Sequence, residues 1–187
     1  MIIDLTTKVR DDLIDHWLDK QENRHIAMGH VGTHLDTYKK SSIPLEYFKR
    51  RGVLVDVTSF CEEREVGLED VSHLDIQSGD FIIFKTDRIK KTYGTKEYFF
   101  EHPELSHELI DYLIKKEVSF IGIDCPGIRR DKEHTPADIL CEENQVYVIE
   151  NLTNLDKINT DSFTVYTMWL DDKKATGLKC RVICEHN

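Results

Sequence analysis

The sequence predicts an α/β domain built on a mixed sheet. Three observations predict it. Short apolar runs bounded by turn residues recur through the middle of the chain, as GVLVDV (52–57), FIIFK (81–85), VSFIGI (118–123) and QVYVIE (145–150), the pattern of strands buried on both faces. An amphipathic stretch, HPELSHELIDYLIKKE, lies between two of them. Both ends of the chain are also rich in strand-forming residues, which argues against a clean doubly wound sheet. At 187 residues with no Gly/Ser-rich linker and no repeat, residues 1–187 are expected to form a single domain.

The elements follow in order. Met1–Leu5 reads as a first strand. Asp11–Lys20 carries Leu13, Ile14, Trp17 and Leu18 at helical spacing. Strand 52–57 is followed by a short helix over Leu68–His73, and strand 81–85 follows the turn at Ser78-Gly79-Asp80. In the long helix Pro103 suits the first turn and Glu104 the positive N-terminus. Leu105, Leu109, Ile110 and Leu113 make its apolar stripe. After strand 118–123, Thr135–Cys141 reads as a short helix with Thr135 as N-cap and Pro136 at its first position. Strand 145–150 ends on a carboxylate, and strands 163–170 and 180–184 complete the chain.

Charge removes some function classes. Lys and Arg number 25 against 35 Asp and Glu, a formal net charge of −10. Such a chain has no general attraction for phosphate backbones or anionic lipid, so nucleic-acid and membrane-surface binding are not expected. No apolar run approaches the roughly 20 residues of a membrane helix. The opening lacks a secretory pattern, and the five cysteines form no CxxC pair. Buried reduced thiols in a cytoplasmic protein are the expectation.

The chemistry concentrates in Gly29-His30-Val31-Gly32-Thr33-His34-Leu35-Asp36. Imidazole nitrogen and carboxylate oxygen are the ligand types of hydrolytic Zn²⁺ or Mn²⁺. On a helix Asp36 would point away from the histidines. On a flat strand His30 and His34 would stand about 13 Å apart at Cα, too far to meet one ion. The segment is therefore predicted to bend, with Gly32 at the bend. Glu150, ending a buried strand, is a charge that burial penalises unless it is paired or metal-bound.

Residues 30–36 resemble the HxGTHxD signature of the cyclase family, which includes bacterial kynurenine formamidase (arylformamidase) and isatin hydrolase. The resemblance extends over IIDLT at the start, RGVLVDV, GDFIIFKTD, the 102–113 helix, VSFIGID and VIENLTNLD, about residues 2–156. It implies a swivelling β/β/α fold, assembly as a homodimer or homotetramer, and water attack on an amide, formamide or cyclic imide-like carbonyl of a small molecule. It implies that His30, His34 and Asp36 bind a first ion, that Asp36 reaches a second, and that Glu150 bridges the two, giving one or two ions per subunit. Three positions depart from the formamidase pattern. Lys40 stands where an acid/base histidine is expected, Asp138 where a second-ion histidine is expected, and Tyr38 where a proline is usual. Lysine is a poor general base at neutral pH unless desolvated; Asp138 still offers oxygen to a hard ion.

Other residues complete the candidate site. His134 is the rival acid/base, lying four residues before Asp138. Arg129, beside Arg130, would clamp a substrate carboxylate, although such a pair also suits a solvated loop. Trp17 and Tyr38 would wall an aromatic substrate, and Trp17 equally suits the core. The alternative to a hydrolase is a member of the family that binds metal or ligand without catalysis.

Overall fold

The computed structural model describes residues 1–9, 14 and 17–186. The strands are β1 (Ile2–Asp4), β2 (His34–Asp36), β3 (Lys49–Asp56), β4 (Phe81–Lys85), β5 (Phe120–Ile123), β6 (Tyr147–Glu150), β7 (Phe163–Trp169) and β8 (Gly177–Glu185). The helices are α1 (Arg24–Gly29), α2 (Arg88–Thr92), α3 (Lys96–Phe100), α4 (His107–Lys115) and α5 (Asp131–Glu143). The helix expected at Asp11–Lys20 falls largely outside the described residues; of it, Ile14, Trp17 and Leu18 have helical backbone, and Ile14 and Leu18 are buried.

The strands form one mixed sheet ordered β1-β8-β2-β6-β5-β4-β3-β7, and β7 returns to pair with β8. β3, β4, β5 and β6 run parallel; the pairings of β1, β2, β7 and β8 are antiparallel. Closure works because β8 is long. One of its edges takes β7 over residues 180–185, and the other takes β2 over 177–179 and β1 over 183–185. Alternation then sorts the side chains into two cores. Leu35, Phe81, Ile83, Phe120, Ile149 and Val182 fill the barrel interior. Ile82, Phe84, Ile121, Ile123 and Val148 face outward, packing under Leu109, Leu113 and Ala137 of α4 and α5. The thiols Cys180 and Cys184 are free and buried in the interior cluster.

Two helix starts differ from their expected places. α4 begins after Ser106, whose hydroxyl accepts the Leu109 N–H at 3.2 Å, and not at Pro103. Residues ahead of it are drawn into other pairings: the Leu105 N–H donates to the Ile128 carbonyl. α5 begins at Asp131, so Thr135 is no cap and Pro136 lies inside the helix. A proline early in a helix removes one hydrogen bond, which the rest of α5 tolerates. The Leu68–His73 helix shrinks to a 3-10 turn over Leu68–Asp70. Among the described residues no helix is long and apolar enough to cross a membrane.

Candidate metal centre

The 30–36 segment bends where the geometry required. α1, capped by the Asn23 side chain, ends at Gly29 with His30 as its C-cap, and β2 starts at His34. Gly32 turns the chain between them at φ +70°, a left-handed conformation that costs an L side chain. A Cβ there would also stand 2.8 Å from Val9 Cγ2. The bend brings the imidazoles together: His30 Nδ1 lies 3.1 Å from His34 Nε2.

Asp36 follows two residues after His34, on the same strand face, with Oδ1 at 3.2 Å from His30 Nδ1 and 3.6 Å from His34 Nε2. β6 supplies the next group. His34 and Glu150 are direct partners across the β2–β6 ladder, and His34 Nε2 lies 3.3 Å from Glu150 Oε2. α5 brings two more, one turn apart. His134 Nε2 is 3.3 Å from Asp138 Oδ2 and 3.6 Å from Glu150 Oε1.

The outward nitrogens fix the imidazoles. His34 Nδ1 lies 2.9 Å from the Gly32 carbonyl, which can only accept, so Nδ1 carries the proton and Nε2 is left to bind. His30 Nε2 bonds the Thr176 hydroxyl at 2.8 Å, freeing Nδ1 to face the cluster. Asn151 adds a brace, donating to the Gly32 carbonyl at 3.1 Å and accepting from the Tyr98 hydroxyl at 2.6 Å.

Asp36, Asp138 and Glu150 are all buried, at 2%, 3% and 3% exposure. Asp36 and Asp138 leave both oxygens, and Glu150 leaves Oε1, without a well-directed hydrogen bond. That many unsatisfied buried carboxylate atoms demand positive charge. Protonation answers part of it. Burial works against a charged His34, but the Asp36 and Glu150 carboxylates overcome it and hold the imidazole well above its usual range. Burial, reinforced by Asp36 and Glu150, pushes the Asp138 carboxyl well up. Burial alone would raise Asp36, yet the His34 and His30 imidazoles hold it low. A divalent cation meets the same imbalance without protons, and the donors suit one: His30, His34 and Asp36 form one group, and Asp36, His134, Asp138 and Glu150 a second.

Above the cluster lies a cavity of about 260 Å³. Trp17, Tyr93, Phe99 and Pro126 form apolar walls, while His30, His34, His134 and Glu150 border it from below. Trp17 is 39% exposed, so it belongs to the cavity wall and not to the core. The Tyr38 ring lies 6.2 Å from that of His30. Burial and the Asp36, Asp138 and Glu150 charges raise its phenol, keeping it protonated.

Two expected residues stand elsewhere. Lys40 is not at the cluster: its ammonium donates to the Ala175 carbonyl, and it borders a different cavity with Thr37 and Asp172. The cause is Glu142, which accepts from the Lys39 N–H at 2.8 Å and the Ser41 N–H at 3.0 Å and so fastens the chain on both sides of Lys40. Arg129 is no free carboxylate clamp. Its guanidinium is 2.7 Å from Glu65 and 2.9 Å from Glu133, and donates to the Leu105 carbonyl at 2.9 Å. The sequence reading missed Thr176, whose partner is 146 residues away, and the brace at Asn151, which directly follows Glu150.

A family model described as "Putative cyclase" matches residues 3–130, more than half of the chain. Among solved structures, isatin hydrolase A from Labrenzia aggregata, bound to benzyl benzoate, is 20% identical with a TM-score of 0.77, covering 98% of this chain and 93% of that one. Isatin hydrolase A from Ralstonia solanacearum is 18% identical, TM-score 0.77, covering 98% and 91%. A structure described as a potential metal-dependent hydrolase with cyclase activity is 23% identical, TM-score 0.73, covering 98% and 96%. These likenesses establish the fold. No curated protein matches the chain.

Proposed function

Because the chain belongs to the cyclase family, we propose that it is a metal-dependent hydrolase cleaving a C–N bond of a small amide, formamide or cyclic imide-like molecule. The observation that carries this reading is the convergence of His30, His34, Asp36 and Glu150, with carboxylate oxygens left unsatisfied, at the floor of an apolar cavity. Its solved neighbours include two isatin hydrolases, and an aromatic amide suits walls made of Trp17, Tyr93 and Phe99.

When bound, Zn²⁺ or Mn²⁺ polarises a carbonyl and lowers the pKa of its water toward about 7. The chain's own residues set the stage. The Gly32 carbonyl and the Thr176 hydroxyl orient the two imidazoles. The aromatic walls hold the flat part of a substrate and exclude bulk water. With Lys40 turned away, His134 is the described imidazole on the cavity wall outside the first group. It either carries a proton or holds a second ion, since one Nε2 cannot do both. The donor set contains no thiolate, and the five free buried cysteines suit a reducing cytoplasm.

The test is turnover of isatin, N-formylkynurenine and simple cyclic imides by protein loaded with Zn²⁺ or Mn²⁺. Hydrolysis that chelation stops and His34→Ala abolishes with the fold intact supports the proposal. A metal-loaded protein inert to all three supports the second reading, a binding protein without catalysis, which the displacement of Lys40 favours.

A further inference from the structure

We propose that a polar cavity between residues 61–65 and 101–104 binds a small organic cation, one carrying a guanidinium or primary ammonium group, through the His102 imidazole and the carboxylates around it. The cavity measures about 280 Å³ and shares no lining residue with the one above the metal centre. The proposal therefore stands apart from the hydrolase reading.

His102 is the residue that asks for a ligand. It is 2% exposed and lines the cavity. Its Nδ1 lies 3.0 Å from the Pro103 carbonyl, which can only accept, so Nδ1 carries the proton. Nε2 keeps a lone pair, and among the described residues no group donates to it. A buried polar atom without a partner is costly. Burial also keeps the ring neutral at pH 7, so the missing partner is a hydrogen-bond donor.

The surroundings make that donor a cation. The carboxylates of Glu62, Glu63, Glu65, Glu101 and Glu104 line the cavity, against the guanidiniums of Arg64 and Arg130. Both guanidiniums are already engaged. Arg130 lies 2.5 Å from Glu104, and Arg64 lies 2.7 Å from Asp70 and 4.0 Å over the Phe60 ring. Glu62 pairs with Arg88 and Glu65 with Arg129. Glu63 and Glu101 have no cationic partner among the described residues. Negative charge is thus in surplus beside an unused acceptor. A guanidinium or ammonium brings both the N–H and the positive charge.

A metal ion suits the cavity less well. Metal ligands converge, and among the described residues sets of three or more ligand atoms within 4.8 Å of one another occur only at the metal centre. Cys61, on the same wall, is pushed up to about 11 by burial and by Glu62, so it offers a thiol and not a thiolate.

The test is a titration of the whole protein at pH 7.5 and constant ionic strength with n-butylguanidinium, n-butylammonium and the uncharged n-butylurea. Calorimetry reads affinity, and NMR reads the His102 Cε1–H signal, assigned by its loss in His102→Gln. At least one of the two cations is expected to bind saturably, one to one, and to shift that signal with the same Kd. Butylurea is expected to bind roughly 10-fold or more weakly, and the double variant Glu63→Gln, Glu101→Gln to weaken the cation by a similar factor. Both positions are exposed, so the variant keeps the fold. Butylurea binding as tightly as the cations, a His102 signal unmoved at saturation, or unchanged affinity in the double variant overturns the proposal. So does a blocked tri-arginine peptide that binds where neither small cation does, which would make the cavity a docking point for a polypeptide.

Discussion

His34 and Glu150 sit opposite each other across the antiparallel β2–β6 ladder, with His34 Nε2 3.3 Å from Glu150 Oε2. One register thus joins the bend at residues 30–34 to the end of a strand more than a hundred residues later. A slip of one residue would turn Glu150 into the barrel interior and take the site apart.

The bend itself is open to test. Gly32→Ala puts a side chain at φ +70° and against Val9. It is expected to cost about 1–2 kcal/mol of stability from the backbone conformation alone, and to weaken ion binding because His30 and His34 no longer meet. Chemical denaturation together with a Zn²⁺ titration checks both.

Lys40 is held away from the cavity by the grip of Glu142 on Lys39 and Ser41. Lys40→Ala is therefore expected to leave kcat/KM within about 3-fold of wild type, far below the roughly 100-fold or greater loss that removal of a general acid or base brings. Steady-state kinetics on any substrate that is turned over decides it.

His102 gives the protein an acid-sensitive point. Burial pushes its imidazole down to about 4, so the folded state keeps it neutral while the unfolded chain takes up a proton below about 6.5. Its contribution is present above pH 6.5 and lost as pH falls toward 4, by up to about 3 kcal/mol. Asp124, raised to about 6 by burial, works in the opposite direction over part of that range. Comparing His102→Gln with wild type cancels Asp124: the stability difference between the two is expected to shift by that amount in favour of the variant between pH 7.5 and 4, as followed by urea unfolding.

The sequence made much of this legible where local chemistry decides. The strand at Phe81–Lys85 has the expected bounds, because its apolar run ends at turn residues on both sides. The bend at Gly32 followed from the reach of two imidazoles. Residues governed by distant partners were less readable. Nothing near Lys40 indicates that Glu142, a hundred residues on, fastens its neighbours. Arg129 looks free until Glu65 and Glu133 are folded against it. α5 starts before Pro136 because tertiary packing outweighs one lost hydrogen bond, and that longer helix is what aims His134 at Glu150.

The central claim is that His30, His34, Asp36 and Glu150 hold a divalent ion, and a thermal melt tests it most directly. Metal-stripped wild type and His34→Ala are melted at pH 7 with and without Zn²⁺ or Mn²⁺. An ion at 100 times its Kd stabilises the folded state by about 2.7 kcal/mol. The wild type is expected to show a clear rise in Tm that His34→Ala lacks. A wild-type Tm indifferent to both ions, or an equal rise in the variant, contradicts the account.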